Sequence, residues 1–200
     1  MDAAAPADDS PKLHLIRHGE TEWSLSGRHT GRTDLPLTAH GEDQARKLGV
    51  RLGETPFSRV LTSPRQRARR TCELVSLPPP AEIEPDLAEW DYGDYEGQRT
   101  VEIWQQRPGW NLFRDGCPGG EMPAQVSDRA DRVIASLGGH KGNFALFSHG
   151  QFGCAFAARW IGLPVIEGQH FLIYAASLSI LGYNPSHPEA RVISSWNEAR

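Results

Sequence analysis

Two His-Gly pairs stand far apart in this chain, His18-Gly19 and His149-Gly150. Each follows a short apolar run that reads as a buried strand, and each precedes a loop or a helix. Ligands of open α/β sheets bind beyond the carboxyl ends of the strands, so two such strand ends are expected to face one pocket. A single histidine in this setting is more often structural; two in equivalent settings point to chemistry. Arg17 precedes the first pair, and Arg67 lies about one turn into a predicted helix that follows another strand. Guanidinium groups are planar and permanently charged, and they match phosphate oxygens better than lysine does. Arg65, Arg69 and Arg70 on the same helix read as a solvated face. Glu89, Asp91, Asp94 and Glu96 share one stretch rich in aromatics and glycines, which offers candidates for proton transfer without choosing among them.

These residues need elements to position them. Lys12 to Ile16 reads as the first strand, bounded by Pro11 and by Arg17-His18-Gly19. Apolar residues at helical spacing follow Thr38, a plausible N-cap, as far as Gly53. Ser58 to Thr62 reads as a strand, and Ser63-Pro64 as the start of a helix through Val75 that Pro78-Pro79-Pro80 ends. Ala81 to Glu84 is a further strand candidate, and Leu87 to Gly97 lacks a period and reads as a loop. Val101 to Arg107 and Val126 to Leu137 have helical spacing, and Gly119-Gly120-Glu121 turns into the second of them. Asn143 to Ser148 reads as a strand and Phe152 to Ile161 as an apolar helix. Ala176 to Tyr183 and Arg191 to Trp196 read as closing strands, the last at a sheet edge. Strands alternating with helices predict an α/β sandwich on a largely parallel sheet. Residues 1–11 are expected to form a flexible tail and 12–200 a single domain.

Leu15-Ile16-Arg17-His18-Gly19-Glu20-Thr21-Glu22-Trp23 resembles the signature of the histidine phosphatase superfamily. The resemblance continues through Gly27 to Gly31, Asp34 to Thr38, Thr62 to Ala68, Leu87-Ala88-Glu89 and Ser148-His149-Gly150, in the order and at the spacing of that family. It implies a three-layer α/β/α sandwich of the phosphoglycerate mutase type. It also implies His18 as the nucleophile, Arg17 as its phosphate-gripping neighbour, and Arg67 and His149 as completing the pocket. Among the four acids, the family position selects Glu89 as the group that protonates the leaving oxygen. Ser24, Thr30 and Gly31 fall at positions that line the phosphate in relatives, Thr30 through its hydroxyl and Gly31 through an accessible backbone N–H, and Gly150, beside His149, is a further substrate-binding candidate. Ser24 stands where mutases usually have asparagine. Trp90 and Tyr92, next to Glu89, are candidates for a pocket wall, and Arg28 and His29 for a substrate rim.

That chemistry suits these residue types. Arg17, Arg67 and His149 would offset a phosphate dianion and hold the equatorial oxygens of the transition state. The same cations disfavour protonation of His18, which keeps the lone pair that attack requires. Glu89 would alternately give and take a proton. The scheme calls for no metal and no cofactor. Glu121 has two readings, an acid with a part in the chemistry or a residue that structures the start of the next helix.

Mutases of the family add basic residues for a carboxylate, yet Thr100 falls where a lysine is expected. The run Glu89 to Gly97, with Trp110 to Cys117, resembles instead a branch containing fungal sedoheptulose bisphosphatase and mycobacterial acid phosphatase. The expectation is therefore a phosphomonoesterase acting on a sugar phosphate or bisphosphate, or an acid phosphatase of broad specificity. A cofactor-dependent phosphoglycerate mutase and a catalytically silent phosphate-binding protein are the alternatives.

Composition narrows the setting. Two hundred residues with 38% apolar content suffice for one core. Twenty-one Lys and Arg against 25 Asp and Glu give a net charge of −4, which offers no general field for nucleic acid. Cys72, Cys117 and Cys154 are odd in number and widely spaced, arguing against a disulfide framework and a structural zinc site. The start of the chain lacks the basic and apolar stretches of a secretory signal, and Phe171 to Tyr183 is too short and interrupted to span a bilayer. A cytoplasmic location without membrane contact is expected, with a small phosphate ester as partner. Dimers are common among relatives, which makes a homodimer a candidate assembly.

Overall fold

Leu13, His14, Leu15 and Ile16 are all buried, so the strand that carries them, β1 (Lys12–Arg17), has protein on both faces. The computed structural model describes residues 11–199, so residues 1–10 of the expected tail lie outside the described residues. The other strands are β2 (Phe57–Thr62), β3 (Glu82–Ile83), β4 (Asn143–Ser148), β5 (Leu178–Asn184) and β6 (His187–Glu198). They form one sheet in the order β3-β2-β4-β1-β5-β6. The first four positions in that order are mutually parallel, whereas β5 and β6 add as antiparallel strands, with β6 at the expected edge.

Strand side chains alternate between the two faces of a sheet. Leu13 and Leu15 of β1, with Phe144 and Leu146 of β4, enter one core, which contains Val126 and Ile134 of α6 (Pro123–Leu137) and Phe152 and Phe156 of α7 (Gly150–Trp160). Ile16, Ala145 and Phe147 enter the other, which contains Leu48 and Leu52 of α2 (Ala39–Leu52) and Val75 of α3 (Gln66–Val75). Two apolar layers on opposite faces of a largely parallel sheet are the three-layer sandwich that the sequence predicts. No helix of the described residues is long and apolar enough to cross a membrane.

Thr38 caps α2 as expected, its hydroxyl accepting from the Gly41 N–H. The third helix starts later than the Ser63-Pro64 expectation. Ser63 Oγ accepts from the Arg65 N–H and Asp34 Oδ1 from the Gln66 N–H, so side-chain caps place the first helical residue at Gln66. The two helices expected from Val126 and Phe152 instead begin at Pro123 and Gly150, and β6 extends beyond the expected Arg191 to Trp196. Three shorter helices are α1 (Glu22–Ser26), α4 (Thr100–Gln106) and α5 (Leu112–Asp115). The first and last are too short for a periodic signal; Thr21 with Ser24 and Asn111 with Asp115 hold them through local hydrogen bonds.

Candidate active site

The sheet itself brings the two histidines together. Strand β1 pairs with β4 in a register that sets Arg17 opposite Ser148, and the His18 N–H donates to the Ser148 carbonyl at 3.0 Å. The next residues, His18 and His149, therefore leave adjacent strands side by side, with ring centroids 5.2 Å apart and planes at 64°. Gly19 has no room for a side chain, because a Cβ there would run into the Gly41 carbonyl at the start of α2. That close approach fixes the turn behind His18.

Hydrogen-bond partners assign the proton on each ring. His18 Nδ1–H donates to the Gly19 carbonyl at 2.7 Å, and a carbonyl only accepts, so Nε2 carries a free lone pair. Arg67 Nε–H donates to His149 Nδ1 at 3.2 Å, and a guanidinium only donates, so the His149 proton sits on Nε2 and is given to Ser63 Oγ at 2.7 Å. Both imidazoles are held well below the ordinary histidine range. Burial is the main cause for each, with repulsion from Arg67 next; Arg17 adds to it at His18, and His18, Arg65 and Arg17 at His149. Hydrogen bonding to Gly19 opposes this at His18 without reversing it.

The two arginines are held differently. Arg67 is completely buried and donates to the carbonyls of Thr30, Gly31 and Thr33, so much of its guanidinium organises the 30–33 loop while its charge acts on both histidines. Arg17 donates to the Ile173 carbonyl, but its buried Nε has no partner. Leaving such a donor unpaired is costly, and the Arg17 side chain lies at the cavity beside His18. Glu89, also buried, faces the same cavity. Its Oε1 accepts from the backbone N–H groups of Trp90 (2.9 Å) and Phe152 (2.7 Å), and its Oε2 from Gln151 (3.0 Å). These last two are among the unpaired donors of the first turn of α7, which fixes the carboxyl group against a helix N-terminus.

The cavity has a volume of ≈370 Å³ and is lined by Arg17, His18 and Glu89. Of the expected rim, Ser24, Arg28, His29, Thr30, Tyr92 and Gly150 line it. Ser24 Oγ donates to the Thr21 carbonyl and accepts the Thr21 N–H, so that hydroxyl closes a capping box around α1. Arg67 and His149, expected to complete the pocket, do not line it; both are fully buried, with His149 packed against the His18 ring and Arg67 hydrogen-bonded to His149. Two further expectations are corrected. Trp90 does not wall the pocket: it is fully buried, its indole N–H donates to the Glu121 carbonyl and its ring packs edge-on against Phe113. Gly31 does not offer a free N–H: it is buried, and its N–H donates to both carboxylate oxygens of Glu96 at 2.9 and 3.0 Å.

Glu96 also accepts from the Thr33 N–H. The loop that Arg67 holds by its carbonyls is thus held by Glu96 through its amides. Glu121 pairs with Arg129 at 2.7 Å and accepts from the Asp91 N–H, tying the acidic loop to α6. Sequence reasoning missed Gln151 and the Phe171 to Tyr174 segment, which also line the cavity. That segment has no period and no charged side chain, so only its place against the sheet end reveals it.

The geometry agrees with what the chain resembles. Residues 13–198 match the model of the histidine phosphatase superfamily, branch 1. The chain is 44% identical to an acid phosphatase of Mycobacterium tuberculosis, over 86% of this chain and 86% of that protein. It is 39% identical to a sedoheptulose 1,7-bisphosphatase of Saccharomyces cerevisiae, over 78% of this chain and 69% of the yeast protein. A solved structure of a Mycobacterium tuberculosis open reading frame superposes with a TM-score of 0.88 at 40% identity, covering 94% of this chain and 97% of that one. Agreement at this level over nearly the whole chain makes it a member of the histidine phosphatase superfamily, branch 1.

Proposed function

We propose that the chain hydrolyses small phosphomonoesters in two steps through a phosphohistidine on His18. The observation that carries this reading is the tautomer of His18, whose Nδ1–H is tied to the Gly19 carbonyl and whose Nε2 is left with its lone pair in a cavity also lined by Arg17. In the first step Nε2 attacks phosphorus, the bond to the alcohol oxygen breaks, and Glu89 gives that oxygen a proton. In the second step water attacks the phosphorus, Glu89 takes its proton, and the N–P bond breaks to release phosphate and restore His18. The charges of Arg17 and Arg67 offset the dianion throughout, while His149, both ring nitrogens engaged by Arg67 and Ser63, packs against the His18 ring. The names of the Mycobacterium and Saccharomyces relatives, both phosphatases, support hydrolysis over transfer to a second acceptor. So does Thr100, whose hydroxyl lies 3.2 Å from His29 Nε2 at a position where a mutase lysine is expected.

Incubation with p-nitrophenyl phosphate and with 3-phosphoglycerate tests this reading. Inorganic phosphate is the expected product of both, and conversion of 3-phosphoglycerate to its 2-isomer without phosphate release would contradict hydrolysis. His18→Ala is expected to lower kcat at least about a thousandfold while circular dichroism stays unchanged. A mutant close to the parental rate would refute the nucleophile.

A further inference from the structure

A second cavity, ≈260 Å³, adjoins the catalytic one. His29, Thr100, Gln151, Phe171 and Leu172 line both, so an alcohol group on an ester bound beside His18 has this annex within reach. Trp104, Trp110, Leu112 and Phe113 join Phe171 and Leu172 to give it an apolar side. Trp104 is 47% exposed and Leu172 68%, a large apolar area left open to water at the mouth of a site.

Charge is what the annex lacks. No Asp, Glu, Lys or Arg lines it among the described residues. Its polar side chains are those of Asn111, Gln151, Gln169, Thr100 and His29, and Asn111 Nδ2–H donates to Gln169 Oε1 at 2.8 Å. His29 stacks on Tyr92 with centroids 4.6 Å apart, and burial lowers its pKa to about 4, so it is neutral at pH 7 and supplies no cation. Arg28 lines the catalytic cavity but not the annex, and it donates to the Gly97 carbonyl. A second phosphate placed in the annex would lose hydration and gain no counter-charge.

We infer that the annex holds the alcohol part of the substrate, and that this part is uncharged and presents an aromatic or aliphatic face. The inference rests on the hydrolysis reading above and narrows its substrates to aryl and alkyl monoesters in preference to sugar bisphosphates.

The test compares kcat/KM for 1-naphthyl phosphate, glycerol 3-phosphate and fructose 1,6-bisphosphate in the parent protein, in Trp104→Ala and in Gln169→Arg. The parent is expected to favour the naphthyl ester over the bisphosphate. Trp104→Ala should lower the ratio of naphthyl to glycerol ester about tenfold, chiefly through KM, as expected for lost aromatic burial. Gln169→Arg, on an exposed polar position, should improve the bisphosphate relative to the naphthyl ester by placing a cation in the annex. A parent that prefers the bisphosphate, or ratios that neither variant moves, would overturn the inference. Binding of 1-naphthylphosphonate, followed by tryptophan fluorescence, keeps the two readings separate. Binding that Trp104→Ala weakens, with no phosphate released from any ester, would sink hydrolysis and leave the annex standing. Hydrolysis of all three esters with no such binding would do the reverse.

Discussion

His18 and His149 are both buried, both near Arg67 and both neutral, yet their protons sit on opposite nitrogens because a carbonyl faces one ring and a guanidinium the other. The consequence is chemical: only His18 has its Nε2 lone pair uncommitted. Its depressed pKa keeps that lone pair available on the acid side of the ordinary histidine value of about 6.5. The acid limb of kcat/KM that belongs to His18 is therefore expected below pH 6.5. Replacing Arg17 by Gln removes one positive neighbour, which eases protonation of His18 and should move that limb towards higher pH. The same variant loses a phosphate donor, so kcat/KM at neutral pH should fall by about 10²–10³. A pH profile measured on both proteins checks the two effects together; a limb that stays still while the rate falls would mean that Arg17 contributes no field at His18.

At the scale of elements, one loop illustrates what the sequence concealed. Glu89, Asp91, Asp94 and Glu96 look alike as a string of acids. In the fold three of them have separate work: Glu89 receives the first amides of α7, Asp91 pairs with Arg32 at 2.8 Å, and Glu96 takes the Gly31 and Thr33 amides. Those partners are separated from the acids by up to 65 residues, so neither local spacing nor period reveals them. Resemblance could choose Glu89, since a motif position encodes what spacing does not. Resemblance misjudged Gly31, because an amide's partner is not written in its own residue type, and adjacency to Glu89 misjudged Trp90, because a pocket wall and a core residue share the same apolar signal. Glu96→Ala should release the 30–33 loop and lower kcat/KM about tenfold, whereas Asp94→Asn should leave it within about twofold. Equal effects of the two in steady-state assays would show that the loop needs no second hold. Gly41→Ala introduces a Cβ against the Glu20 backbone and should destabilise the protein by about 1–3 kcal/mol in urea unfolding.

For the whole molecule, the layers were legible and the strand order was not. Apolar runs such as Leu13 to Ile16 and Phe144 to Phe147 announce strands buried on both faces, and Pro78-Pro79-Pro80 and Gly53 mark where helices stop. Nothing local states that β4 inserts between β1 and β2, the step that sets His18 beside His149. Burial of histidine has a global cost too. His14, His18, His29 and His149 all have lowered pKa values, chiefly through burial. Below about pH 6.5 the unfolded chain binds protons that the folded chain refuses, so the stability present above that value is lost progressively as pH falls from it towards the lowered folded values. The urea midpoint should be lower at pH 5 than at pH 7.5, and His29→Asn should make that dependence shallower. A midpoint unchanged between these two pH values would contradict the neutral state assigned to these rings.

Phosphorus is expected to bond transiently to His18, and that bond can be trapped. The protein is mixed with a phosphate ester carrying a radiolabelled phosphoryl group, quenched in alkali within the first turnover and digested. Label is expected on the peptide that contains His18, stable in base and lost in acid, and absent from His18→Ala. Label on another residue, or a protein that stays unlabelled while phosphate is released, would contradict it.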